Sequence, residues 1–221
     1  MIEHVSRKIK EVQLNPDPFS HFYIPDIFPQ DFYWEMLDNL PPKDRYSLPQ
    51  RIVNPGPERL ICDADKLALP FWDALTAKFL SNDFAQVLID KFRPDFLNRF
   101  GNKNLRFGSD TRLVRDFENY QIKPHTDTPL KAISLLFYLP EEASMEHLGT
   151  SVFVPKDQSF RCAGQGRHPF EQFEKVYTAP FLPNSMFGFF KTDYSFHGVE
   201  PIKAKNIERN VFLYNLYAEP C

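Results

Sequence analysis

The chain has 221 residues and a formal net charge of −3, long enough for one domain with a sizeable core. Its lysines and arginines are scattered rather than massed, which gives no electrostatic reason to expect a nucleic-acid partner. No uncharged apolar window of about 18 residues offers a membrane span. The first residues, Met1 to Lys8, lack the apolar core of a secretory signal. Cys62, Cys162 and Cys221 are odd in number, far apart and outside any CxxC, so the expectation is a cytoplasmic protein with reduced thiols. With 23 Phe and 20 Pro against 8 Gly, the interior should be strands and short helices joined by fixed turns, not a simple helical bundle.

In chain order, the segment 1–104 reads as mainly helical. Asp26 to Asp31 supplies helix-start chemistry, and Phe32, Tyr33, Met36, Leu37 and Leu40 recur at three- and four-residue steps until Pro41-Pro42. The stretch from Pro42 to Pro70 carries no regular pattern. Pro70 suits a first helical turn, followed by the stripe Phe71, Trp72, Leu75 and Phe79. Ser81-Asn82-Asp83 can cap a third helix through Phe84, Val87, Leu88 and Phe92, ending near Pro94.

From about Leu105 the pattern becomes short strands. Leu113 to Ile122 mixes apolar and charged residues, and Ala132 to Leu139 is a continuous apolar run closed by Pro140. Val152 to Val154, Phe173 to Thr178, Met186 to Phe190 and Val211 to Tyr217 follow, separated by Pro, Gly, Asn and Asp. Strands without intervening helices predict an antiparallel sandwich or jelly roll over 105–221, in a single α+β domain 1–221.

The chemistry-bearing residues fall in that second half. A lone His-x-Asp is common by chance. His125-Thr-Asp127, however, is bracketed by Pro124 and Pro129, which disfavour helix, and on an extended backbone both side chains project to one side. His197 follows between two apolar runs, where a neighbouring strand could return it to the same mouth. Two neutral imidazoles and one carboxylate cap one face of an octahedral divalent metal and leave the other face open, the arrangement of non-haem Fe(II) oxygenases. On the last strand, Arg209, Val211, Leu213, Asn215 and Tyr217 share a face. If it looks inward, the Arg209 guanidinium waits at the floor of an apolar pocket, suited to a carboxylate. The alternative is a surface arginine at the strand end, with Lys131, Lys203 or Lys205 binding the carboxylate.

Together these pieces resemble the Fe(II)- and 2-oxoglutarate-dependent oxygenase superfamily, nearest its prolyl-hydroxylase-like branch. The matching segments are Pro18 to Phe32, Tyr120 through Asp127, Ile133 to Pro140, Gly149-Thr150, His197 to Pro201, and Arg209. The resemblance implies a double-stranded β-helix, a cupin-like jelly roll, with N-terminal helices packed against it. It implies His125, Asp127 and His197 on iron, Arg209 on the distal carboxylate of 2-oxoglutarate, and Tyr120 or Tyr138 donating a hydrogen bond to that cosubstrate. The family commonly doubles the glycine before the position of Thr150, whereas here Leu148 precedes Gly149. A carboxylate at 127, where related halogenases carry Ala or Gly, points to hydroxylation. The implied reaction uses O2 and converts 2-oxoglutarate to succinate and CO2 while hydroxylating an unactivated C–H bond of a small-molecule or carrier-bound substrate. Two other readings stay open: a cupin-type metalloenzyme that does not use 2-oxoglutarate, and a non-catalytic β-sandwich binding module. The loop 155–169, with Lys156, Arg161 and Arg167, is a candidate lid meeting an anionic substrate group. His147 and His168 are expected to be exposed loop histidines.

Overall fold

The computed structural model describes residues 1–49, 58–164 and 166–221. Five helices precede most of the strands: α1 Ile2–Glu11, α2 Gln30–Asp38, α3 Pro70–Phe79, α4 Asn82–Lys91 and α5 Arg93–Phe100. α3 begins on Pro70, whose missing N–H costs nothing in a first turn. α4 begins where the Ser81 hydroxyl accepts from the Phe84 amide at 3.2 Å. Pro94 does not simply end the helical run. α4 closes at Lys91, and Pro94 sits in the first turn of α5, where a proline starts a helix as readily as it stops one. α1 packs inward through Val5 and Ile9, one turn apart.

The strands are β1 His21–Ile24, β2 Arg59–Asp63, β3 Leu105–Asp116, β4 Ile122–His125, β5 Lys131–Tyr138, β6 Ser151–Pro155, β7 Phe173–Thr178, β8 Ser185–Phe190, β9 His197–Val199 and β10 Arg209–Pro220. They form two antiparallel sheets, one ordered β1-β8-β5-β10-β3-β2 and the other β4-β9-β6-β7. This is an α+β jelly roll. β1 and β2 come from the half of the chain that reads as mainly helical, and they close the two edges of the larger sheet.

The larger sheet is two-sided because strand side chains alternate. On β10, Phe212, Tyr214, Leu216 and Ala218 join an aromatic layer with the helices. There the Phe79 ring of α3 lies 5.3 Å from both Phe137 and Phe212, and Phe96 of α5 lies 5.0 Å from Phe190. The opposite face carries Tyr138, Phe187, Phe189 and Val211 and packs toward the smaller sheet through Val152. Helices thus cover one side, and the other side encloses the site.

Candidate metal centre and its cavity

β4 and β9 are short, and His125 and His197 are direct Cα partners in that antiparallel pair. A side chain at residue 198 would force the strands apart, since a Cβ on Gly198 would lie 2.4 Å from the Ile122 carbonyl oxygen. The two imidazole centroids are 4.4 Å apart. Asp127 follows just past the end of β4. Thr126 between them is turned the other way, its hydroxyl donating to the Cys162 carbonyl at 2.7 Å, so 125 and 127 face one side. One ligand atom from each of His125, Asp127 and His197 lies within 4.8 Å of the others.

The tautomers follow from the partners. Nδ1 of His125 faces the Lys123 carbonyl at 3.0 Å, and Nδ1 of His197 faces the Ser195 carbonyl at 3.0 Å. A carbonyl only accepts, so both Nδ1 atoms carry the hydrogen and both Nε2 lone pairs are free. Burial, together with the neighbouring His197, pushes His125 down to about 3. Burial likewise lowers His197, opposed by the Asp127 charge. Both rings are therefore neutral at neutral pH, the form that ligates metal. Burial alone would raise the Asp127 carboxyl, but Lys131, joined by the two imidazoles once acid protonates them, outweighs it and holds the group well below the usual carboxylate range. Lys131 Nζ donates to Asp127 Oδ1 at 3.1 Å, and the Ser134 hydroxyl donates to Oδ2 at 2.8 Å. Two neutral imidazoles with free Nε2 atoms and one ionised carboxylate fit a divalent iron.

The three residues open onto a cavity of about 330 Å³ whose wall includes Arg209, Val211, Leu213, Asn215 and Tyr217 of β10. Those are the five residues that alternation assigns to one strand face. Arg209 is buried, with 1% of its surface exposed, and is not a surface arginine. Its Nε donates to the Leu148 carbonyl at 2.7 Å, and Nη1 donates to Asp116 Oδ2 at 2.7 Å. Among the described residues, Nη2 is buried without a partner. An orphaned guanidinium N–H in this cavity fits the carboxylate of a cosubstrate, since leaving it unpaired is costly. Of the alternative lysines, Lys131 is committed to Asp127, while Lys203 and Lys205 are exposed and absent from the cavity wall.

Tyr120 and Tyr138 stand behind that wall rather than in it. The Tyr138 hydroxyl donates to Thr150 Oγ1 at 2.9 Å and accepts from the Thr150 amide at 3.2 Å. The Tyr120 ring lies 4.1 Å from the Arg59 guanidinium carbon. Gly149, the glycine beside Thr150, is required by close approach: a Cβ there would meet the Ala179 carbonyl oxygen at 1.6 Å. None of Lys156, Arg161 and Arg167 lines the cavity; Gln165 lies outside the described residues. The 155–169 loop instead braces the outside of the ligand-bearing strand, its His168 amide donating to the Pro124 carbonyl at 2.9 Å. His147 is exposed, but His168 is not a free loop histidine. It packs against Phe160, Phe173 and Phe196, with Nε2 buried.

Four contributors carried no readable signal. Asp116, Arg59, Ser134 and the Leu148 carbonyl become visible only once β10 is paired with β3 and β5. Arg59 donates to Asp116 from Nε at 2.5 Å and from Nη2 at 2.8 Å, so one carboxylate serves two guanidinium groups.

No protein-family model matches the sequence, and no curated protein matches it. Solved structures do. An oxidoreductase of the 2OG-Fe(II) oxygenase family from Burkholderia pseudomallei aligns over 98% of this chain and 90% of its own, with a TM-score of 0.54 at 12% identity. A Pseudomonas putida prolyl-4-hydroxylase aligns over 98% of both chains, with a TM-score of 0.56 at 12% identity. The epimerase SnoN, solved with Fe3+, alpha-ketoglutarate and nogalamycin RO, aligns over 99% of this chain and 85% of its own, with a TM-score of 0.58 at 12% identity. The chain therefore has the jelly-roll fold of the 2OG-Fe(II) oxygenases. Among the described residues, no helix is long and apolar enough to cross a membrane.

Proposed function

We propose that the protein is an Fe(II)- and 2-oxoglutarate-dependent oxygenase that hydroxylates an unactivated C–H bond of a small-molecule or carrier-bound substrate, releasing succinate and CO2. One observation carries this reading. A convergent His-Asp-His set with both Nε2 atoms free shares a single cavity with a buried arginine whose Nη2 has no partner among the described residues. When bound, iron with 2-oxoglutarate and O2 supplies the oxidising chemistry.

The chain's own residues do the rest. His125, Asp127 and His197 hold the metal on one face. Ser134 and Lys131 keep Asp127 ionised and oriented. Arg209 takes the distal carboxylate of 2-oxoglutarate with Nη2, fixed for that task by Asp116 and the Leu148 carbonyl. Phe189, Leu136, Val211 and Leu213 give the cavity an apolar wall that limits water. Tyr138 acts through Thr150, which does line the cavity, and Tyr120 acts through the Arg59 it stacks on. A cupin-type enzyme without 2-oxoglutarate would leave the Arg209 N–H without a purpose.

Anaerobic titration with Fe(II) and then 2-oxoglutarate tests the reading. A weak visible charge-transfer band is expected in the wild type and absent in His197→Ala. A protein that binds Fe(II) but gives no band on adding 2-oxoglutarate would overturn it. Succinate release with a candidate substrate, followed by mass spectrometry for one added oxygen, separates hydroxylation from epimerisation or cyclisation, which leave no oxygen in the product.

A further inference from the structure

The cavity has a second polar end that the cosubstrate does not need. Along β10 the inward side chains run from Arg209 to Tyr217. Asn215 is the Cα partner of both Asp110 and Ser134, Tyr217 is the partner of Lys131, and Leu213 is the partner of Arg112. Arg112 thus stands four residues from Arg209 on the ladder, about 13 Å along the strand, beside the metal ligands' supports.

Three of these side chains are tied to one carboxylate. Asp110 accepts from Asn215 Nδ2 at 2.6 Å, from Tyr217 Oη at 2.9 Å and from Arg112 Nη2 at 2.8 Å. Arg112, Asn215 and Tyr217 all line the cavity, and among the described residues Arg112 Nε is buried with no hydrogen-bond partner. Asp63 Oδ1 lies 3.8 Å from that nitrogen, beyond hydrogen-bonding reach, and Asp63 is engaged by Lys66 at 2.8 Å.

The asymmetry fixes the charge of the ligand. Asp110 and Asp116, the carboxylates behind the cavity wall, each already accept three hydrogen bonds, Asp110 from three groups and Asp116 from Arg59 and Arg209. Both negative charges are thus neutralised by protein donors, which disfavours a substrate ammonium. Guanidinium N–H groups are left over at both ends instead. The cavity presents Arg59, Arg112, Lys131 and Arg209 against Asp110, Asp116 and Asp127; with Asp63 and the Lys66 that pairs it also counted, the cations still exceed the anions by one. A divalent metal and a dianionic cosubstrate then cancel each other and leave the surplus positive charge in place.

We infer that Arg112, held by Asp110 beside Asn215 and Tyr217, anchors an anionic group, carboxylate or phosphate, of the primary substrate. This deepens the oxygenase reading and rests on it. The guanidinium, part of the cavity wall, is the specificity-determining group, while Asn215 and Tyr217 fix its angle through their shared acceptor.

The test uses full-length protein in excess over Mn(II), with 2-oxoglutarate saturating so that Arg209 is occupied. Inorganic phosphate and carbon-13-labelled acetate are the two probes, followed by paramagnetic relaxation of their phosphorus and carbon resonances. The wild type should relax at least one probe: phosphate if the substrate is phosphorylated, acetate if it is a carboxylic acid. Arg112→Met should weaken the effect about tenfold, and Arg112→Lys, which keeps a cation against Asp110, should fall between the two. A melting temperature near wild type in either variant shows that folding is not the cause. If Mn(II) and 2-oxoglutarate do not bind the wild type at all, the oxygenase reading falls and the subsite with it. If they bind but neither probe relaxes, or Arg112→Met relaxes both as fully as the wild type, the subsite alone is overturned.

Discussion

Asp116 Oδ2 accepts from Arg209 Nη1 at 2.7 Å, with the Arg209 side chain 1% and the Asp116 side chain 0% exposed. The same carboxylate is gripped by Arg59 on the edge strand. This pairing makes it affordable to bury a guanidinium at the floor of an apolar cavity. Asp116→Ala strands the charge of Arg209 and removes both hydrogen bonds of the Arg59 guanidinium. A loss of about 3–5 kcal/mol is expected, as for other broken buried pairs, read as a lowered urea midpoint. An unchanged midpoint would mean that the charges are solvated in a way this geometry does not predict.

Arg209→Lys keeps the charge but loses the fork. An ammonium cannot serve the Leu148 carbonyl, Asp116 and a ligand carboxylate in the same planar geometry. The affinity for 2-oxoglutarate should fall at least about tenfold, or ~1.4 kcal/mol, in an anaerobic titration monitored by the charge-transfer band. Wild-type affinity in the lysine variant would remove Arg209 from the cosubstrate site.

Ser134→Ala removes a donor from Asp127 Oδ2 without touching a ligand atom. Partners of ligating groups typically contribute about 10–100-fold to metal affinity. Calorimetric titration with Co(II) should therefore show a weaker but intact site in Ser134→Ala and no specific binding in Asp127→Ala. Equal loss in the two variants would show that Ser134 is needed for the fold of the site rather than for holding the carboxylate.

The metal-free protein should lose stability on mild acidification. His125 drops from its ordinary 6.5 to about 3 in the folded state, so below about 6.5 the unfolded chain takes up a proton that the folded ring refuses. Stability is fully present above that pH and falls progressively toward about 3. The lowered His197 acts in the same sense. Melting temperatures across this range, compared between wild type and His125→Gln, measure the effect. A parallel decline in both proteins would assign it to other groups.

Phe79 meets Phe84, Phe137, Phe212 and Tyr214 where α3 lies on the larger sheet. Phe79→Ala should cost about 3–5 kcal/mol in denaturant unfolding. Metal affinity measured in native conditions should be retained, because the substitution falls on the far side of the sheet from the ligands.

Much of this organisation can be read directly from residue order. The runs near 132–139, 152–154, 173–178 and 186–190 correspond to β5, β6, β7 and β8 within a residue or two, and the run 211–217 to β10, which extends two residues before it and three beyond. β5 and β8 are nearly apolar throughout because both faces are buried, whereas β7 is exposed from Glu174 to Val176. α1, β1 and β2 left no such trace. β1 is four residues long, and β2 draws its stability from pairing with β3 rather than from its own pattern. At the site, His197 and Arg209 stand out as polar groups beside apolar runs, and His125 and Asp127 as an extended pair bracketed by Pro124 and Pro129. Asp116, Arg59, Arg112 and Asp110 do not, since a charged residue in a mixed stretch gains meaning only from the partner that register brings beside it. The helix expected to stop near Pro94 shows the same limit, as proline marks a boundary without saying which side continues.

β10 divides its duties by odd and even number. Even positions from 212 to 218 lock the helices in place, and odd positions from 209 to 217 face the cavity. Selection can therefore change residue 213 or 215 to admit a different molecule while the aromatic layer goes undisturbed, so new specificities are reachable without a loss of foldability. A single-residue deletion in this strand would exchange the two roles and ruin both at once.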